Sequence, residues 1–194
     1  MYVLKNYPTQ VPNLATSGAW LSQNVNTATS HTFTLTKYNS SHNVVWTTYV
    51  PSNTMSIRFD DNQNIYVLGR IRYDLPGLAT PGAFQENFIP YYAGGMIQDN
   101  SYLVKLNSSG QKVWGTFSTP GIFDFKWFNN DLYLVAAYSP QMPGNFTNPG
   151  TFQPTTTSDN LIFKFDANTG QKIWGTFYGT PINPTLFTGH GISA

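Results

Sequence analysis

Cysteine is absent from the 194 residues. No disulfide staples the chain, and cysteine usage gives no clue to its redox compartment. Charge is scarce as well, at 10% of residues against about 25% in an average soluble protein. The ten Lys and Arg are scattered, with Arg70 and Arg72 the only close pair, and the net charge is +1. Without a basic stripe to neutralise a phosphate backbone, nucleic acid is not an expected partner. Glu86 is the only glutamate, and apart from the adjacent Asp60 and Asp61 the carboxylates are spread singly, so no acid/base pair declares itself. The opening MYVLKNYPTQ lacks the basic and apolar regions of a signal peptide, and no run approaches the ~18 apolar residues of a membrane span. Helical windows are missing too, because Gly, Pro and β-branched residues interrupt each candidate.

What the chain does have is aromatics, at 16%, together with many Thr, Asn, Gly and Pro. Thr and aromatic side chains favour strands, whereas Asn, Gly and Pro favour tight turns. The mixture predicts an all-β protein.

The strands recur. GQKVWGTF (110–117) returns as GQKIWGTF (170–177), and FTLTKYNSSHNVVWTTY (33–49) is a weaker third copy. Trp46, Trp114 and Trp174 are separated by 68 and 60 residues. A second anchor repeats in step, as TSGAW (16–20), TPGAFQ (80–85) and NPGTFQ (148–153). The first stretch, YVLKNYPTQVPNLATSGAW (2–20), aligns ungapped on YVLGRIRYDLPGLATPGAF (66–84). Self-similarity at a period of about 64 residues marks a repeat architecture.

Each period reads as four short strands. In the second copy they are SIRFD (56–60), NIYVLGRI (64–71), SYLVKLN (101–107) and QKVWGTF (111–117). The third copy supplies FDFKWF (123–128), DLYLVAAY (131–138), NLIFKFD (160–166) and QKIWGTFY (171–178). Asn/Asp/Gly clusters between them are turn chemistry. Repeated four-stranded antiparallel units are the pattern of β-propeller blades. The expectation is therefore about three blades belonging to a larger ring, with repeats over roughly 1–55, 56–121 and 122–178 and a further strand beginning in 186–194. Closure by two chains is the alternative. Unpaired blade edges then offer a route to self-association.

The residues NIYVLGR…LPGLATPGAFQ…GG…SYLVKLNSSGQKVWGTF resemble the bacterial SBBP-type β-propeller repeat, over nearly the whole chain. The resemblance implies a secreted or cell-surface bacterial scaffold with no catalytic set to carry over. The usual GGSG-D segment is degraded here to STPGIFD (118–124) and GTPINPTLFTGHG (179–191). DANTGQKIW (166–174) is also similar to the tryptophan-docking motif of quinoprotein propellers, whose members carry pyrroloquinoline quinone and Ca²⁺. Only this copy has the full Asp-x-x-Thr-Gly form; the others read NSSG and NSSH.

Candidate chemistry is sparse. Trp46, Trp114 and Trp174 recur in register, which favours a structural role in locking blades over a ligand groove. Asp60-Asp61-Asn62-Gln63-Asn64 alternates oxygen ligands but lacks the Gly and Glu of a Ca²⁺ loop, so it reads as a polar turn. His31, His42 and His190 share no metal-ligand spacing, and neither metal nor cofactor is expected. The NSS sequons at Asn39 and Asn107 occupy the same turn in two copies, so turn chemistry accounts for them.

The unlike parts are the long connections at roughly 9–30, 72–100 and 139–159, which exceed ordinary hairpin loops of about 2–5 residues. The loop ENFIPYYAGGMIQD (86–99) carries Phe88, Tyr91, Tyr92 and Asp99, the expected ligand-binding set: aromatics with amides beside them suit a sugar ring or a protein surface. The functional expectation is a non-enzymatic extracellular scaffold binding protein or glycan through this loop face. The alternative is an enzyme, a quinoprotein-like oxidoreductase or glycan-active hydrolase with its site at the propeller axis.

Overall fold

The computed structural model describes residues 1–26, 31–155 and 159–179. Within them the protein is all-β. Strands β1 (Tyr2–Tyr7), β2 (Thr32–Tyr38) and β3 (Val44–Tyr49) form a three-stranded sheet in that order. A four-stranded sheet follows from β4 (Thr54–Phe59), β5 (Ile65–Ile71), β8 (Asn100–Leu106) and β9 (Lys112–Ser118). Strands β10 (Gly121–Phe128), β11 (Asp131–Ala137), β12 (Asn160–Asp166) and β13 (Lys172–Phe177) make another, again in chain order. Between β5 and β8, β6 (Tyr92–Ala93) and β7 (Met96–Ile97) form a small hairpin.

Each large sheet is thus a meander in which sequence neighbours pair. The expected strand positions hold to within two residues. The departure at β10 has a local cause: a bulge between Ile122 and Asp124 lets pairing with β11 reach back to Gly121. In β12 buried and part-exposed residues alternate strictly, whereas every residue of β8 is buried. A strand covered on both faces loses the alternation that a half-buried strand displays.

The polar turn at Asp60 illustrates why these hairpins form. Asp60 Oδ1 accepts from the backbone N–H groups of Asn62 (3.0 Å) and Asn64 (2.9 Å), and Gln63, at φ 63°, donates its N–H to the Asp60 carbonyl at 3.1 Å. Its Oδ2 accepts from Asn64 Nδ2 at 2.9 Å and the Tyr66 hydroxyl at 3.2 Å, and buried Lys105 lies 3.7 Å away. Burial raises the Asp60 pKa, but these hydrogen bonds and Lys105 together outweigh it and hold the carboxyl below its usual value. Asn39 and Asn107 cap their own turns likewise, each accepting two backbone N–H groups at 2.9–3.0 Å.

By contact the chain divides into two compact units, Met1–Gly69 with Val104–Val113, and Arg70–Leu103 with Trp114–Ala194. The same lock occurs once among the described residues of each. In the first, Trp46 of β3 donates from Nε1 to the Ser108 carbonyl at 3.0 Å, its ring lying against Gly110. In the second, Trp114 of β9 donates from Nε1 to the Ala167 carbonyl at 3.0 Å, its ring lying against Gly170. Both rings are only 2% exposed. Each glycine sits near φ +75°, a conformation side-chain-bearing residues rarely adopt, and a Cβ there would come within 2.7 Å or less of the indole.

The second repeated anchor turns out to be a strap along each outer strand. Thr16, Thr80 and Asn148 donate from backbone N to Thr47, Gly115 and Gly175 carbonyls at 2.8–3.0 Å. Five residues on, Leu21, Gln85 and Gln153 donate to the hydroxyls of Thr48, Thr116 and Thr176. The strap then reaches the turn that receives the tryptophan: Trp20 N bonds the Gly110 carbonyl, and Phe84 N the Gly170 carbonyl. Phe84 also packs on Phe163 and Phe165, with ring centroids 5.6 and 5.1 Å away.

Candidate functional site

The long connection between β5 and β8 is anchored at its root by amides. Buried Asn100 donates from Nδ2 to the Ile89 carbonyl at 2.9 Å and accepts on Oδ1 from Ile89 N and from Gln85 Nε2. Gln85 Oε1 in turn accepts from the backbone N and the hydroxyl of Thr119. Glu86 is engaged too, accepting from Gly82 N at 2.7 Å. A loop held this way is a rigid platform for whatever its tip presents.

At the tip, Gly94 (φ 59°) and Gly95 (φ 77°) fill the two central positions of the hairpin turn. Positive φ at both is what a type I′ turn demands, so the Gly-Gly pair lets Tyr92–Ala93 fold back on Met96–Ile97. The Gln98 side chain closes the motif by donating to the Ala93 and Met96 carbonyls. Tyr92 and Met96 consequently project, 64% and 68% exposed.

The four loop residues singled out from sequence do not converge on one pocket. Phe88 turns inward and packs edge-on against Phe117 of β9, centroids 6.2 Å apart. Asp99 is ion-paired with Arg72 at 2.5 Å. Tyr91 is partly buried, and that burial, reinforced by the Asp99 charge and opposed by Arg70, raises its phenol pKa. Tyr92 alone is free at the surface.

The tryptophans Trp46 and Trp114 are committed to the locks described above, and Trp174, on β13, is partly exposed. His31 Nδ1 lies 3.0 Å from Asn6 Oδ1, and His42 is exposed in its turn at φ 60°. His190 and the further strand expected in 186–194 lie outside the described residues. Among the described residues no three His, Cys, Asp or Glu side chains come together as metal ligands.

Sequence reasoning passed over the clefts beside the aromatic three residues after each repeat tryptophan. One of about 370 Å³ lies by Tyr49 and is bordered by Gln10, Asn13 and Asn24. Another of about 240 Å³ lies by Phe177, bordered by Tyr138, Asn145 and Thr155. The amides at the first are already bonded: Asn24 Nδ2 to Gln10 Oε1 at 2.5 Å and to Thr32 Oγ1 at 3.1 Å. In the intervening repeat, Phe88 occupies the flank of the corresponding aromatic, Phe117. The signal for this difference was the unequal loop length.

No protein-family model matches the chain, and no curated protein matches it.

Proposed function

We propose that the chain is a non-enzymatic β-propeller repeat scaffold, displayed outside the cell, whose 86–99 loop engages a protein partner. The propeller reading is supported by two consecutive four-stranded meanders in chain order and by the tryptophan lock that recurs with the repeat. The extracellular setting follows from the resemblance to SBBP-type repeats. The way Trp114 sits on the Asp166–Gly170 turn also supports the likeness to the tryptophan-docking motif, but that likeness concerns how repeats are assembled. It assigns no residue of this chain to catalysis.

The observation that carries the binding proposal is the exposed pair Tyr92 and Met96 on a hairpin that, among the described residues, only the second repeat carries. A tyrosine beside an adaptable methionine suits a protein surface. A sugar site needs polar groups free to bond hydroxyls. Here Asp99 is taken by Arg72 and the Gln98 amide by the hairpin backbone.

The test places a photo-crosslinking residue at position 98 and compares the parent chain with its Tyr92→Ala/Met96→Ala form, using surface proteins of the producing cell. Adducts lost in the double variant support the proposal. Identical adducts in both, or glycan-array binding that depends on Tyr92, would contradict it.

A further inference from the structure

Arg70 stands one residue from the end of β5, and its guanidinium is held in place without being paired. Its Cζ lies 5.8 Å from the ring centroid of Phe123, and a Cβ on Gly121 would stand 3.6 Å from its Nη2. Phe123 and Gly121 both belong to β10, and all three residues lie in the second compact unit. The Nε of Arg70 is buried with no hydrogen-bond partner. The residue as a whole is only part-buried, so the Nη edge of the fork is open to solvent.

The carboxylates around it are engaged elsewhere. Asp99 is ion-paired with Arg72, and Asp124 accepts from the Phe125 N–H. Arg70 and Arg72 are the only close pair of arginines or lysines in the chain, and Asp99 answers one of them. Among the described residues the Arg70 side chain has neither an ion pair nor a hydrogen bond. A guanidinium drawn partly out of water is costly unless its donors are matched, and its planar fork matches a carboxylate. Tyr91 lies near enough for the Arg70 charge to act on its phenol. Burial, the larger effect, raises the Tyr91 pKa, so the hydroxyl keeps its proton and offers a second donor. Asp99 acts on the same phenol, so Arg70, Arg72 and Asp99 together carry one net positive charge. That suits a monoanion better than a phosphate dianion.

We propose that Arg70, with the Tyr91 hydroxyl beside it, binds a carboxylate, the side chain of an Asp or Glu on the protein partner. The source of the carboxylate rests on the partner proposed above; the site itself does not. Tyr92 and Met96 supply apolar contact at the hairpin tip, and Arg70 supplies the charge that selects which partner surface fits. The partner that fits carries an acidic side chain beside an apolar patch.

The test begins with the full chain alone, ¹⁵N-labelled, and acetate as the probe. Acetate is titrated against chloride at fixed ionic strength, because salt screens such a contact. The Arg70 Nε–Hε resonance, assigned by its loss in Arg70→Gln, should shift saturably with acetate and not with chloride. Tyr91→Phe should weaken that response, and the amide spectra of the same samples report whether each variant keeps the fold. Crosslinking from position 98 then compares the parent with Arg70→Gln, whose adducts should fall by about tenfold or more. The site is overturned if the Arg70 resonance follows acetate no more than chloride, or if phosphate at equal concentration shifts it more strongly. Acetate binding with undiminished adducts in Arg70→Gln would overturn the partner as the source of the carboxylate. Acetate binding with no adducts in the parent would sink the partner reading, and the source with it, while the site stands.

Discussion

The indole of Trp114 rests on the α-carbon of Gly170, so closely that an added Cβ would lie 2.6 Å from Cε3. The two residues are far apart in sequence and belong to successive repeats, and Trp46 on Gly110 reproduces the relationship. A side chain of this size, fully buried, contributes on the order of 3 kcal/mol or more. Its bond to a backbone carbonyl adds about 1 kcal/mol and fixes its direction. The lock therefore sets both the strength and the register of one repeat on the next.

Gly110→Ala is expected to destabilise the protein by more than about 3 kcal/mol, because conformational strain and collision with Trp46 add. Gly150→Ala is the control: its φ is +78°, but nothing lies within 4 Å of the added methyl. It should cost only the left-handed strain, about 1 kcal/mol. Urea unfolding of the two variants makes the comparison.

The Asp60 carboxyl has its pKa lowered on folding. A depressed carboxylate contributes stability that is fully present above its unfolded pKa, about 3.9, and is lost as pH falls through the lower folded value. Asp60→Asn keeps the turn cap but removes the carboxylate beside buried Lys105, a loss of about 3 kcal/mol at pH 7. Denaturation midpoints from pH 7 to 2 should fall for the parent and converge on the variant in acid.

Phe88 and Tyr92, four residues apart, should behave oppositely. Phe88→Ala removes the cover from Phe117 and is expected to cost about 2 kcal/mol. Tyr92→Ala touches no packing and should stay within about 0.5 kcal/mol. The proposed partner contact should fail with the second substitution, while the first leaves the hairpin tip in place. Thermal melts paired with crosslinking separate the two.

The Arg72–Asp99 pair joins an exposed guanidinium to a less exposed carboxylate. Asp99→Asn should therefore change stability by less than about 1 kcal/mol, and raising salt should erase the difference. A parallel urea titration at low and high salt measures it.

Much of this was legible in the sequence. Strand alternation in NLIFKFD, Asx chemistry in DNQN and NSSG, and the recurring WGTF and PGAF segments are local signals, and they mark the repeats and most strands. The targets of the tryptophans were not legible, because Trp46 and Trp114 bond carbonyls 62 and 53 residues away that no short pattern connects to them. The direction of Phe88 was equally hidden. An aromatic in a loop reads the same whether it faces solvent or, as here, covers Phe117. The Gly94–Gly95 hairpin was readable from its flanking residues, yet the long connection around it masked it.

A double-mutant cycle between Trp114→Leu and Gly170→Ala, followed by urea unfolding, tests most directly whether tryptophan-on-glycine locking joins the repeats. Gly170→Ala should cost more than about 3 kcal/mol in the parent but only about 1 kcal/mol once the indole is gone, a coupling of at least about 2 kcal/mol. Additive losses would mean that Gly170 serves its own turn and nothing more, and would contradict the lock.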